Sequence, residues 1–224
     1  MAFTVPLPRV PLEGGRDPAE DGRTSLEDGR APLEDCHAPL EDDCAQWYED
    51  GLGWATASGP PVQLLTGLRF EVLELPADAG AAVLRRIGPT GPVALHEERM
   101  LLLVAAGSAD ELPGLLDWLE WGTIALDLTA VGAGGRVAAP APPQWPRATA
   151  RGAAVWLRPP DPGREVEPTL PALAPFGRSS GHGGGGTDAP DLVRLVDTAA
   201  TECHRARLLR GNTLRTNTQP LAFS

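Results

Sequence analysis

Not one lysine occurs among the 224 residues, so all 19 basic side chains are arginine. With 26 glycines and 24 prolines beside abundant alanine, this usage points to a GC-rich coding sequence and so to a GC-rich bacterial source. Cysteine is scarce too. Cys36, Cys44 and Cys203 form no paired framework, which excludes a disulfide scaffold and suits a reducing compartment. There is no CxxC or HxxxH pair, so Cys36, His37, Cys44, Cys203 and His204 lack the spacing of a zinc knuckle, and nothing in the sequence sets a histidine beside a thiol for catalysis. GAGG at 132–135 and GGGG at 183–186 match no phosphate loop set between a strand and a helix, and read as a turn and a linker. No apolar run approaches the ~20 residues of a membrane span, and the first residues lack the basic and apolar regions of a secretory leader. These absences predict a cytoplasmic protein with no membrane partner.

What is abundant is acid, and it is unevenly placed. Of 30 Asp and Glu, 13 lie in residues 1–50 against 4 of the 19 Arg, a balance of −9 out of a total of −11; residues 51–224 carry only −2. The acidity therefore belongs to the beginning of the chain and does not by itself exclude nucleic acid from the rest. From Leu12 a seven-residue unit repeats as LEGGRDP, AEDGRTS, LEDGRAP, LEDCHAP and LEDDCAQ. A heptad zipper needs two apolar positions per unit, whereas these offer one, with Pro or Gly in several. Residues 1–45 are accordingly expected to be a disordered acidic tail, with docking of a partner as the functional alternative.

Order is expected from about residue 46 to 160. VQLLTG and RFEVLEL are short and β-rich, and ADAGAAVLRRI is a helix with Arg85 and Arg86 near its end and Gly88 and Pro89 stopping it. RMLLLVAA has the length of a buried strand. Ser108 and Glu111 have the spacing of a capping box ahead of Leu112, Leu115, Leu116 and Leu119 at helical intervals. ALDLTAV, RVAAPAPP and AAVWLRPP supply three further strands. This order predicts an α/β or α+β domain whose sheet carries two packed helices. Residues 161–188 read as a Pro/Gly-rich linker, 189–211 as an amphipathic helix with Leu192, Leu195, Val196, Ala199 and Cys203 on one stripe and Gly211 at its stop, and 212–224 as a flexible end.

Three blocks in that order, LLTGLRFEVLELPADAG, RMLLLV and LDLTAVGAGGRVAAPAPP, resemble the prim-pol domain of actinobacterial bifunctional DNA primase/polymerase proteins, of the archaeo-eukaryotic primase superfamily. The likeness covers roughly residues 45–160. It implies a shortened prim-pol-like sheet, nucleotidyl transfer on nucleic acid, and Mg²⁺ or Mn²⁺ seated by an acid-x-acid pair on the first block and an aspartate on the third. Phosphoryl transfer needs such hard oxygen ligands, and the x between two acids on a strand sets both on one face. Carried over by position, the metal ligands and catalytic acids fall on Glu74 and Asp127, with Pro76 in place of the second acid. The phosphate loop falls on LHEERM, which leaves His96 and Arg99 to meet nucleotide phosphates and puts Glu97 and Glu98 where small residues are expected.

Read from the residues alone, Glu74 is a metal carboxylate or a solvated strand residue, and Asp127 a ligand or a cap for the GAGG turn. The tryptophans, Trp118, Trp121 and Trp156 among them, serve packing or base stacking. Residues 191–224 hold five Arg against three acids, a slight basic surplus. Two functions follow. One is a DNA primase/polymerase-like protein with weakened or lost nucleotidyl transfer. The other is a non-catalytic interaction or regulatory protein that reuses the fold, with a protein partner held by the acidic tail or the Trp-bearing face.

Overall fold

The structure is a computed structural model that describes residues 38–88, 90–143, 145, 154–173 and 191–216, with the backbone alone for 38–41 and 212–216. The fold is α+β. Its centre is a five-stranded antiparallel sheet in the order β6-β3-β5-β4-β8, made of β3 (Glu71–Pro76), β4 (Val93–His96), β5 (Arg99–Val104), β6 (Thr129–Val131) and β8 (Val155–Arg158). A smaller antiparallel sheet joins β1 (Thr56–Ala57), β2 (Gln63–Leu65) and β7 (Arg136–Ala138). The helices are α1 (Ala38–Leu52), α2 (Ala77–Ile87), α3 (Ser108–Trp118) and α4 (Leu192–Thr216).

Both faces of the large sheet are covered, which is why its central strands read as mainly apolar runs rather than as an alternation. On one face Leu73, Leu75, Met100, Leu102 and Val104 pack against α2, α3 and α4. On the other Val72, Leu101, Leu103 and Ala94 meet the small sheet together with Tyr48, Trp54 and Phe70. α4 lays Leu192, Leu195, Val196, Ala199 and Cys203 into the first core, all 2% exposed or less. Burial of that stripe contributes of the order of 2 kcal/mol per large side chain.

Several elements differ from the local reading. α1 begins at Ala38, inside the stretch expected to be tail, because the last repeat, LEDDCAQ, leads into Trp47 and Tyr48, and Tyr48 is fully buried. Residues 1–37, which hold the earlier repeats up to the Ala38 and Pro39 that open α1, lie outside the described residues. Residues 161–173 are not linker: Val166 and Leu170 are buried, and Ala105 N–H donates to the Pro171 carbonyl at 3.0 Å. The rest of the expected linker, 174–188, and the first two residues of the expected helix lie outside the described residues. α4 runs through Gly211 to Thr216. RVAAPAPP leaves the large sheet and pairs with β2 in the small one. VALH, unread as a strand, is β4.

The first and third sequence blocks meet at one joint. Thr66 hydroxyl donates to the Gly132 carbonyl at 2.5 Å, Thr66 N–H to the Gly135 carbonyl at 3.1 Å, and Gly134 N–H to the Thr66 carbonyl at 3.2 Å. Gly67 sits at φ +94°, and a Cβ there would stand 2.3 Å from Ala133 Cα, so only glycine lets the two turns touch. LLTG and GAGG are thus two halves of one clasp between the sheets.

Candidate functional site

The residues singled out by the resemblance gather around the Pro76 end of β3. That strand lies between β5 and β6, with Glu74 opposite Leu101 on one side and Thr129 on the other, and Pro76 opposite Arg99. Leu73 and Leu75 face the helices, so the side chain of Glu74 leaves the other face, half-buried. Asp127 precedes β6 by two residues and is exposed.

Arg99 connects these positions. One amino group of its guanidinium donates to the Asp127 carboxylate, and the other to the Glu74 backbone carbonyl at 3.3 Å. The side chains of Arg99 and Asp127 are 27% and 50% exposed, so the pair adds only about 0.5 kcal/mol to stability. Its consequence is chemical. The positive charge beside Asp127 is the chain's own, delivered from the position the resemblance reserved for phosphate.

LHEERM forms no loop. Leu95 and His96 end β4, Arg99 and Met100 begin β5, and Glu97 and Glu98 alone make the hairpin turn, with Glu97 at φ +53°. A two-residue turn favours Asn or Gly at such a dihedral, which is why this hairpin was illegible in the sequence. The Glu98 carbonyl accepts the Ala77 N–H at 2.8 Å, fastening the turn to the start of α2. His96 and Arg99 are cross-strand partners, so their side chains share a face. The two exposed carboxylates between them present negative charge at the position the resemblance assigned to a nucleotide phosphate.

These residues do not fit a divalent cation. Mg²⁺ and Mn²⁺ take several oxygen ligands at once. Here the Asp127 carboxylate is paired with a guanidinium and Pro76 has no side-chain donor, which leaves one acid of the set, Glu74. Among the described residues no three His, Cys, Asp or Glu side chains lie close enough together to hold a metal ion.

The most buried carboxylate nearby is one the local reading passed over. Glu71, 2% exposed, points to the helix face of β3, and its Oε2 accepts the Ala109 N–H at 2.7 Å in the first turn of α3. Gly132 makes room for this contact, since a Cβ there would lie 3.0 Å from Ala109 Cβ and 3.7 Å from Glu71 Oε1. The N-cap residue is Gly107, no side chain caps from that position, and Ser108 is buried, so the Ser108 and Glu111 spacing is not used as a capping box. An acid within the apolar run FEVLEL was the available signal.

Of the thiols, Cys44 is half-buried on α1 and Cys203 is buried in α4, its Sγ–H directed at the Asp127 carbonyl at 3.5 Å. Cys36 and His37 lie outside the described residues. Burial, and after it the Asp127 carboxylate, push the Cys203 thiol up to about 12 from its ordinary 9.0. Such a thiol is no nucleophile at neutral pH. Burial also raises the Tyr48 phenol well above its ordinary 10.0, with Cys44 adding to the rise and the hydrogen bond from Trp156 opposing it. Both groups keep their proton in the folded chain at a pH where the unfolded chain has lost it. The unfolded state then binds fewer protons, so stability falls as the pH climbs above about 9. Thermal midpoints are expected to hold steady from about pH 7.5 to 9 and then drop, and Cys203→Ala should delay the drop to about pH 10. Midpoints unchanged between those limits and pH 11 would contradict it.

Comparison of the chain with protein-family models, with curated proteins and with solved structures finds no match. No helix among the described residues is long and apolar enough to cross a membrane.

Proposed function

We propose that the chain is a primase/polymerase-like domain that has lost nucleotidyl transfer and serves in the cytoplasm as a non-catalytic binding or regulatory module. Its main support is the contact of Arg99 with Asp127 and with the Glu74 carbonyl, an organic cation at the position where the resemblance expects an exchangeable metal. The hairpin carboxylates Glu97 and Glu98 add to this, since anions repel a triphosphate. A protein partner suits the module better than nucleic acid, because residues 51–224 carry a balance of −2 and the basic surplus within them, at 191–224, is only +2. Among the described residues Trp118, on α3 and 71% exposed, is the exposed aromatic side chain that such a partner would meet.

The test is primer extension and primer synthesis on a single-stranded template with Mn²⁺ or Mg²⁺. The parent chain and Asp127→Ala are both expected to incorporate nucleotide no faster than a protein-free blank. Metal-dependent extension by the parent that disappears in Asp127→Ala would overturn the reading and restore Glu74, Asp127 and the divalent ion to a catalytic role. Binding to single-stranded DNA is expected to be weak; an affinity that falls steeply with salt would instead favour a nucleic-acid-binding module.

A further inference from the structure

At the far edge of the large sheet, away from Arg99, a half-open cavity of about 500 Å³ lies where the end of β8, the segment before β4 and the turn at 164–169 come together. That volume falls within the usual range for small-molecule sites, roughly 300–1,000 Å³. Its walls include Pro92, Pro159, Pro160 and Pro168 with the buried side chain of Val166. Proline has no N–H, so these walls offer apolar surface and carbonyl oxygens but few backbone donors. Further donors come from side chains.

Two wall residues supply them. Arg158, at the end of β8, is half-buried and commits one amino group to the Thr90 carbonyl at 2.7 Å. A guanidinium carries five N–H donors in a planar fork, so this bond fixes the group without exhausting it. Thr90 is 8% exposed, and its hydroxyl has no hydrogen-bond partner among the described residues. A buried hydroxyl without a partner is costly and uncommon; with no accessible surface of its own, it meets an acceptor in the cavity by turning about its χ1. The remaining charges sit on the rim: Asp161, Arg164 and Glu165 are exposed, and Arg164 lies 3.5 Å from Asp161. The one charged side chain withdrawn from solvent in this cavity is therefore a cation.

We propose that this cavity is a binding site for a small organic acid, a carboxylate on an apolar body, with Arg158 as its anchor and the Thr90 hydroxyl as a second donor. The carboxylate accepts the forked N–H groups, the hydroxyl finds its acceptor, and the apolar body lies on the proline and valine walls. Charge-assisted pairing of guanidinium and carboxylate gives the site its preference over neutral molecules of the same shape. The site is independent of nucleotidyl transfer and stands whether or not that activity is found.

Titration of the full chain with benzoate, benzamide and benzylamine, followed by the amide shifts of Thr90, Gly91 and Thr169, tests the assignment. Benzoate is expected to shift these three saturably while the Glu98 hairpin amide stays still, and benzamide and benzylamine to bind about tenfold more weakly or not at all. Arg158→Met should lose at least about tenfold, and Arg158→Lys, which keeps the charge and a reach to the Thr90 carbonyl, should lose less. Thr90→Val preserves volume and is expected to weaken benzoate several-fold; unchanged affinity would remove the hydroxyl from the site. Equal response to benzamide, or no saturable response to benzoate in the parent chain, would sink the proposal without touching the reading of Arg99 and Asp127.

Discussion

Glu71→Ala is expected to lower the unfolding free energy by about 3 kcal/mol, through an orphaned helix N–H at about 1–3 kcal/mol together with the cavity left by the missing methylenes. Four N–H groups at the start of a helix have no partner within it, and α3 begins on Gly107, which has no side chain to offer. Glu71 answers from β3: its carboxylate accepts the Ala109 N–H from 38 residues away in sequence and puts negative charge at the positive end of the helix dipole. Glu71→Gln keeps the volume and an acceptor oxygen but gives up the charge, and should cost only about 1 kcal/mol. Urea denaturation read as midpoint shifts at constant slope separates the two variants. A Glu71→Ala chain as stable as its parent would mean that α3 is capped by something other than this carboxylate. Native-state hydrogen exchange should place the loosening in the first turn of α3.

The second large effect belongs to Tyr48. Its ring is fully buried, stacked on Trp54 with centroids 5.9 Å apart and edge-on to Trp47 at 4.8 Å. Its hydroxyl donates to the Pro140 carbonyl at 2.6 Å and accepts the Trp156 indole N–H at 3.1 Å. One phenol thus ties α1 to the segment after β7 and to β8. Tyr48→Ala is expected to cost about 3–5 kcal/mol, the range for deleting a buried aromatic ring, and to unfold a marginally stable chain. Tyr48→Phe keeps the ring and leaves a carbonyl and an indole N–H unpartnered, for about 1–3 kcal/mol. Thermal or urea unfolding monitored by tryptophan fluorescence reads both, since Trp54 and Trp156 lie against the changed side chain. A Tyr48→Ala midpoint equal to the parent's would show α1 to be dispensable.

α1 also shows where local reading stops. Its residues begin as another acidic repeat, and low hydrophobicity over a window argues against order. Burial of Tyr48 among Trp54, Phe70 and Val72 outweighs that average, because one aromatic side chain removed from water contributes more than several exposed acids forgo. The hairpin at Glu97 failed for a related reason. Turn chemistry would put Asn or Gly there, yet β4 and β5 are held by the apolar residues flanking the turn, and Glu97 accepts a positive φ as a result. Glu74 and Asp127 are adjacent to Arg99, as the order of the three blocks allowed, but their partners were not legible: strand patterns state which residues share a face, not which guanidinium arrives there.

What the amino-acid order determined alone were the elements with a strong local period. α2 ends in Arg85, Arg86 and Gly88, the runs of β3 and β5 are mainly apolar, Glu71, Glu74 and Arg99 apart, because both faces of the sheet are covered, and the stripe of α4 repeats at helical spacing. Tertiary structure decided the rest. Arg99 reaches Asp127 across 28 residues, Glu71 caps a helix 38 residues on, and Tyr48 meets Trp156 across 108. Such partners depend on strand register and on the packing of layers, and register is set by the sum of buried surface over whole strands rather than by any residue beside the one it positions.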